Sequence, residues 1–361
     1  MAERGTSLSA SLDLNKIVQP LLSWYDQAAR VLPWRENPQP YRVWVSEIML
    51  QQTRVEAVKP YYERFLSALP TVETLADAPE ELLLKLWEGL GYYNRVRNLQ
   101  RAALVMKEQY GGQVPASFDA LLALPGFGEY TAGAVASIAF GIRVPAVDGN
   151  VLRVISRLTA DRRDMKDAAV KRQITETVRE ILPERAGDFN QSLMELGATV
   201  CLPNGAPLCL LCPLNSLCIA YREGIAAELP VKTAKRPRVI EERTVFLLCT
   251  EDRVALRRRP AKGLLAGLWE LPGVPEVFTP EGAEDQLREW GFSEFAVQPL
   301  PKAKHIFTHR EWHMTAYAAR VPRPFGEFVW ATYRELLEQY TLPSAFKSYA
   351  DMLKDWISVD I

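Results

Sequence analysis

Four cysteines fall within the eighteen residues CLPNGAPLCLLCPLNSLC, at Cys201, Cys209, Cys212 and Cys218, while the fifth, Cys249, stands apart. No other stretch restricts the fold so strongly, because four thiols this close must share one environment. The opening residues MAERGTSLSASLDLNK hold no long apolar run of the kind that directs export. Disulfides are therefore not their expected use, and a shared metal is. Zinc suits four thiolates. The gaps of seven, two and five residues do not make two Cys-x-x-Cys knuckles, however, and look more like one loop wrapped around a bulky iron–sulfur cluster. Broad absorbance toward the blue would support iron, and a colourless zinc-loaded protein would defeat it.

A length of 361 residues suggests about two domains. Up to about residue 225 the rhythm is helical. YRVWVSEIMLQQTRVEAVKPYYERFL, PEELLLKLWEGL, RNLQRAALVMKEQY and AAVKRQITETVREIL carry apolar residues three and four apart. Asp13 can cap a helix reaching toward Arg30, and Ser117 one over SFDALLAL. We expect roughly ten helices and no hairpin of strands there. REGIAAELPVKTAKRPRVIEE, residues 222–242, is charged and broken by prolines, and reads as a linker. Beyond it TVFLLCT, VALRRR and MTAYAARV read as strands, and EGAEDQLREWGF and SAFKSYADMLKDWI as amphipathic helices. The expected fold is multidomain, all-α over 1–221 and then α+β over 243–361. No run of about 18 apolar residues is present, so no membrane span is expected. With no export signal, a cytoplasmic location in a bacterial cell follows. The net charge of −1 excludes a protein that coats DNA through sheer positive charge. It leaves open a local basic face, and RRDMKDAAVKR and VKTAKRPR are basic, though each alone reads as a solvated surface.

Three stretches carry candidate chemistry. SFDALLALPGFGEYTAGAVASIAFG is helix, tight turn, helix. Gly126 and Gly128 can both take positive φ, so backbone N–H groups and the second helix's N-terminus can face an anion such as a nucleic-acid phosphate. The Ala-, Gly- and Ser-rich second helix can pack closely. Asp148 stands at a helix start in VPAVDGNVLRV, where it is both a natural N-cap and a carboxylate kept ionised by the helix end. Glu47 lies among Trp44, Val45, Ile48, Met49 and Leu50. With Gln51 and Arg54 it could form a solvated polar stripe. Alternatively it is a carboxyl in an apolar pocket, its pKa raised so that it can donate a proton.

Taken together, LPWR, VSEIMLQQTRV, LWEGLGYYNRVRNL, LPGFGEYTAGAVASIAFG, VDGNVLRV, FNQSLMELGA and the cysteine loop resemble the adenine DNA glycosylases of the MutY family, within the helix-hairpin-helix superfamily. GLLAGLWELPG and HIFTHREWHM carry the resemblance into the second domain. It implies a helix-hairpin-helix glycosylase region with a six-helix barrel over about 31–145. An iron–sulfur module would follow, made of the N-terminal helix and about 146–221 and holding one 4Fe–4S cluster on the four cysteines. A Nudix-like lesion-recognition domain would complete the chain. The implied activity is base excision repair: excision of adenine mispaired with 8-oxoguanine, and also with guanine, from double-stranded DNA, by a monomer bound at the nucleoid. Glu47 would protonate N7 of an extruded adenine, and Asp148 would stabilise the oxocarbenium sugar. Tyr130 and Asn150 would orient the sugar, the water and Asp148. Related endonuclease III-like enzymes have a lysine at the Tyr130 position. A phenol cannot form their imine, which implies a monofunctional glycosylase. Trp34 and Arg35 match residues near the adenine pocket, Gln52 and Tyr92 match wedge residues, and Phe307, Thr308 and His309 match the loop that reads 8-oxoguanine.

Three departures stand out. The family usually has Ser where this chain has Thr308, and six residues where the first cysteine gap here has seven. No R-E-x-x-E-E helix follows GLLAGLWELPG. A Nudix pyrophosphatase needs that carboxylate cage for its metal, so the second domain is expected to read lesions without hydrolysing nucleotides. A non-catalytic iron–sulfur DNA-binding module gives no reason for Glu47 and Asp148 together.

Overall fold

A computed structural model describes residues 12–231 and 237–358. The chain divides into two compact units, Met1–Asp77 with Asn98–Ala234, and Ala78–Arg97 with Lys235–Ile361. The second unit thus takes in twenty residues that lie, by sequence, inside the helical region.

Asp13 caps a 3₁₀ turn, Leu14–Ile17, by accepting the Asn15 N–H at 3.1 Å. Helix α1 (Val18–Ala28) continues from it, so the expected helix from Asp13 toward Arg30 is a turn plus a helix. Next come α2 (Pro33–Glu36), α3 (Pro40–Leu50), α4 (Val55–Ala68), α5 (Val72–Asp77), α6 (Glu80–Leu86) and α7 (Asn94–Gln109). The periodic stretch 41–66 is therefore two helices. Gln51 leaves the α3 spiral with ψ 112°, and Gln52 turns left-handed at φ 58°. This removes Gln51 and Arg54 from the helix that carries Glu47. The expected polar stripe does not form, and Glu47 is 6% exposed among apolar neighbours.

Ser117 caps α8 (Phe118–Leu122), as its position suggests. The turn to α9 (Glu129–Phe140) uses positive φ at Gly126 alone (78°). Gly128 is the extended N-cap of α9 at φ −113°, contrary to the expectation for both glycines. Phe127 between them is buried and stacks on Trp44 at 5.5 Å. Helix α9 packs on α3 and on α12 (Ala186–Thr199). At Gly133 a Cβ would stand 2.1 Å from Pro145 O, so only glycine lets the chain leading to Asp148 lie this close. The unit is completed by α10 (Gly149–Leu158), α11 (Ala168–Glu180) and α13 (Ile219–Arg222). Leu21, Val151, Val154, Ile174, Phe189 and Leu193 from α1, α10, α11 and α12 form one core. Full burial of each such side chain stabilises by about 1.5–3 kcal/mol. Among the basic stretches, Arg163 pairs with Asp161 as a solvated face would, and most of VKTAKRPR lies outside the described residues.

In the second unit, β1 (Val239–Cys249) and β2 (Arg253–Arg258) join β3 (Trp269–Glu270), β4 (Gly273–Val274), β5 (Ala296–Ile306), β6 (Arg310–Arg320) and β7 (Val329–Thr332) in one sheet. Its path runs β3-β2-β1-β6-β5, with β1 parallel to β6, while β4 pairs with β1 and β7 with β2. The strand begins at Val239, so residues 239–242 are not linker; residues 232–236 of that reading lie outside the described residues. Val245, Leu247 and Cys249 face one core; Phe246 and Leu248 face another, so β1 is buried on both sides and loses its alternation. Helix α14 (Pro280–Glu289) covers one face. The other is covered by α15 (Tyr333–Glu338), α16 (Lys347–Ala350) and the turns beside it. The expected helix over 344–357 is α16 between two 3₁₀ turns, though Phe346, Tyr349, Leu353 and Ile357 keep helical spacing and face the core. Among the described residues no helix is long and apolar enough to cross a membrane.

Candidate active site

Glu47 from α3, Tyr130 from α9, and Asp148 and Asn150 at the head of α10 line one cavity of about 1120 Å³ in the helical unit. Trp34, Arg35 and Gln52 line it too. The two carboxyls widely separated in sequence therefore meet. Gly126 and Gly128 do not line this cavity.

The Tyr130 hydroxyl donates to Glu47 Oε2. Burial pushes the Glu47 carboxyl up to about 7. The Tyr130 hydrogen bond opposes this, the Asp148 charge adds to it, and Arg35 opposes it. Burial, then the two carboxylates, pushes the Tyr130 phenol well up, so it stays a neutral donor.

Asp148 is the N-cap of α10: its Oδ1 accepts the Val151 N–H at 2.8 Å, and its Oδ2 accepts Asn150 Nδ2 at 2.7 Å. The cap reading holds, but its electrostatic consequence needs correction. Burial raises Asp148 above the ordinary carboxylate value. The Val151 N–H and the Asn150 amide reduce that rise without cancelling it.

Two supports escaped the sequence reading. Glu195 on α12 is 1% exposed and accepts Arg30 Nε at 2.6 Å, Arg30 Nη2 at 2.9 Å and Arg35 Nη2 at 2.9 Å. Burial alone would push its carboxyl up, but the Arg30 and Arg35 guanidiniums outweigh this and hold it below the usual range. Its sequence signal was a carboxylate inside the apolar run LMELGA, the same signal that marked Glu47. The second support is Arg153, one turn along from Asn150 on α10. Its Nη2 donates to Asn150 Oδ1 at 2.8 Å and its Nε to Cys201 O at 2.8 Å. Hydrogen bonds thus run from the cysteine loop through Arg153 and Asn150 to the Asp148 carboxylate.

Cys201, Cys209, Cys212 and Cys218 line a separate cavity with Val154, Leu158, Leu196 and Val200. Among the described residues no three donors converge as one metal ion requires. Four thiols around one void suit a cysteine-ligated metal centre. Arg157 adds positive charge, with Nη1 at 3.1 Å from Cys201 Sγ, which suits an anionic cluster.

In the second unit, Tyr92 is half-exposed at φ 49°, and its hydroxyl lies 2.7 Å from Thr308 Oγ1. Phe307 packs edge-on against buried Trp312 at 4.9 Å, and its N–H donates to Arg310 O, closing a tight turn that includes His309.

Residues 45–180 match the HhH-GPD superfamily base excision DNA repair proteins, and residues 244–352 match the NUDIX domain. The adenine DNA glycosylase of Mus musculus is 35% identical, over 94% of this chain and 79% of its own length. That of Homo sapiens is 37% identical, over 80% and 64%, and that of Buchnera aphidicola (subsp. Baizongia pistaciae) is 35% identical, over 70% and 72%. Among solved structures, a thermostable thymine-DNA glycosylase is 31% identical with a TM-score of 0.51, covering 58% of this chain and 97% of that one. A non-covalent endonuclease III–DNA complex is 27% identical with a TM-score of 0.51, covering 59% and 96%. The chain is a helix-hairpin-helix DNA glycosylase with a Nudix-like second domain, and it belongs to the adenine DNA glycosylase family.

Proposed function

We propose that the chain removes adenine paired with 8-oxoguanine, and with guanine, from double-stranded DNA. The observation that carries this is one cavity holding two carboxyls in different surroundings, Glu47 buried with one bond from Tyr130 and Asp148 held by the Val151 N–H and the Asn150 amide. Adenine is extruded into that cavity, beside Trp34 and Arg35. Protonated Glu47 gives its proton to N7. The C1′–N9 bond then breaks with its electron pair going to the base, which leaves neutral. Ionised Asp148 stabilises the positive sugar, held in place by Asn150. Water adds to C1′ and loses a proton to the now ionised Glu47, which restores the acid and completes a monofunctional hydrolysis. Tyr130 holds Glu47 and offers no amine for an imine.

The hairpin at Gly126 and Gly128, with the N-terminus of α9, faces a DNA phosphate. The matched endonuclease III structure is a DNA complex, which supports duplex binding. Gln52 and Tyr92 wedge into the stack. Both hold left-handed backbone that non-glycine residues rarely adopt, the kind of strain found at functional positions. Phe307, Thr308 and His309 contact the oxidised base. A 4Fe–4S cluster on Cys201, Cys209, Cys212 and Cys218 would cross-link the loop that Arg153 ties to Asn150.

Incubation with duplex carrying adenine opposite 8-oxoguanine, followed by alkali, should cut the adenine strand at an abasic site. Asp148→Asn should slow excision by about 10²–10³-fold while leaving lesion binding within a few-fold. Unchanged turnover in that variant would remove Asp148 from the chemistry.

A further inference from the structure

Ala78–Arg97 precedes the hairpin in sequence yet belongs to the second unit. Three anchors hold it there. Lys85 Nζ donates to Leu336 O at 3.0 Å, in the last turn of α15, and to Tyr340 O at 3.1 Å, two residues beyond that helix. It lies 2.7 Å from Glu88 Oε2, and the other Glu88 oxygen accepts the Leu342 N–H at 2.7 Å. Arg97 donates to Ala266 O at 2.8 Å and to Glu80 Oε1 at 2.6 Å. The Lys85 and Glu88 side chains are only 19% and 27% exposed, so these bonds are not the loose pairs of an open surface.

The loop between the anchors is closed by hydrogen bonds to its own carbonyls. Trp87 Nε1 donates to Gly91 O at 3.1 Å, and Arg95 Nη2 donates to Leu90 O at 3.0 Å and Gly91 O at 3.2 Å. The Arg95 guanidinium stands 5.3 Å from the Trp87 ring and 5.7 Å from the Tyr92 ring. At the tip, Tyr92 meets Thr308 hydroxyl to hydroxyl. Guanine offers a lone pair at N7, whereas 8-oxoguanine offers N7–H and a carbonyl at C8. A freely rotating threonine hydroxyl serves both bases. One that shares a hydrogen bond with a second hydroxyl keeps only its remaining proton or lone pairs for the base, so the pair, held in register, responds differently to an N7–H and to a bare N7.

We propose that Lys85 and Glu88 are positioning residues: by fastening the loop 89–93 to α15 and to residues 340–342 after it they hold Tyr92 in register with Thr308, and so set the preference for adenine opposite 8-oxoguanine over adenine opposite guanine. This rests on reading the Phe307–His309 loop as the contact to the oxidised base.

The test is single-turnover excision on both duplexes, with thermal unfolding of each variant. Lys85→Met and Glu88→Ala each lower the preference by about five- to tenfold, with excision opposite guanine within about twofold of the parent. Lys85→Arg, which keeps the donors, restores most of it. In a Tyr92→Phe background, Lys85→Met lowers the preference no further. A preference unchanged in both Lys85→Met and Glu88→Ala overturns the proposal, as does a full additional loss in the Tyr92→Phe background. A lower unfolding temperature with an unchanged preference also overturns it, since it makes the anchors merely structural. If Lys85→Met does not fold, Glu88→Ala carries the same test. A parent chain that excises adenine equally from both duplexes would instead overturn the functional reading, before any variant is made.

Discussion

Glu47→Gln is expected to abolish excision, by about 10²–10⁴-fold, and also to make the helical unit more stable above pH 7. Both effects have one cause. Burial raises this carboxyl from an ordinary 4.5 to about 7, because the apolar site disfavours the charged form. Below pH 4.5 the group is protonated whether the chain is folded or not, and folding bears no cost. As pH rises from 4.5 through about 7 the unfolded chain ionises more readily, and stability is lost. The loss levels off at about 3 kcal/mol. Glutamine keeps an acceptor for Tyr130 and cannot ionise. The variant should therefore unfold about 6–12 °C higher than the parent at pH 8 and at the same temperature at pH 4. Calorimetry at the two pH values checks this. An equal gain at both would mean that shape, and not charge, is what the site resists in Glu47.

The second large effect is on stability alone at first sight. Glu195→Ala leaves Arg30 and Arg35 facing each other across the space of a lost carboxylate that was 1% exposed. Breaking such a buried pair costs about 3–5 kcal/mol. The Arg30 side chain is 34% exposed and can reach water, so the low end is expected, about 3 kcal/mol by denaturant unfolding. Arg35 lines the cavity, so its displacement should slow excision as well. A loss below about 1 kcal/mol would place the pair among weak surface contacts.

Much of this was readable from the residues, and the parts that were not have physical reasons. The two carboxyls were legible because each broke a pattern: Glu47 interrupts an apolar run, and Asp148 stands where a helix must begin. That they share a cavity is a tertiary fact, and no local spacing encodes it. The break after Leu50 was hidden because Val55 stands seven residues after Ile48, in phase with the preceding helix, while the backbone turns left-handed at Gln52. Strand β5 was missed because Pro299 and Pro301 argue against a strand. At the sheet edge, beside a register shift between Leu300 and Ala303, they are tolerated. Gly128 was assigned positive φ because glycine permits it, but an N-cap is extended. Residues 78–97 fall in the second unit, where Lys85, Glu88 and Arg97 bond to residues far along the chain, and helical periodicity cannot show that.

The central claim is that a protonated Glu47 and an ionised Asp148 act on one sugar. The pH dependence of single-turnover adenine excision tests it most directly. The account predicts a rate that falls about tenfold per pH unit above about 7, as Glu47 loses its proton. It also predicts an acidic limb set above the ordinary aspartate value, as Asp148 gains one. A rate that stays level or climbs between pH 7 and 9, with the folded state intact, would contradict it.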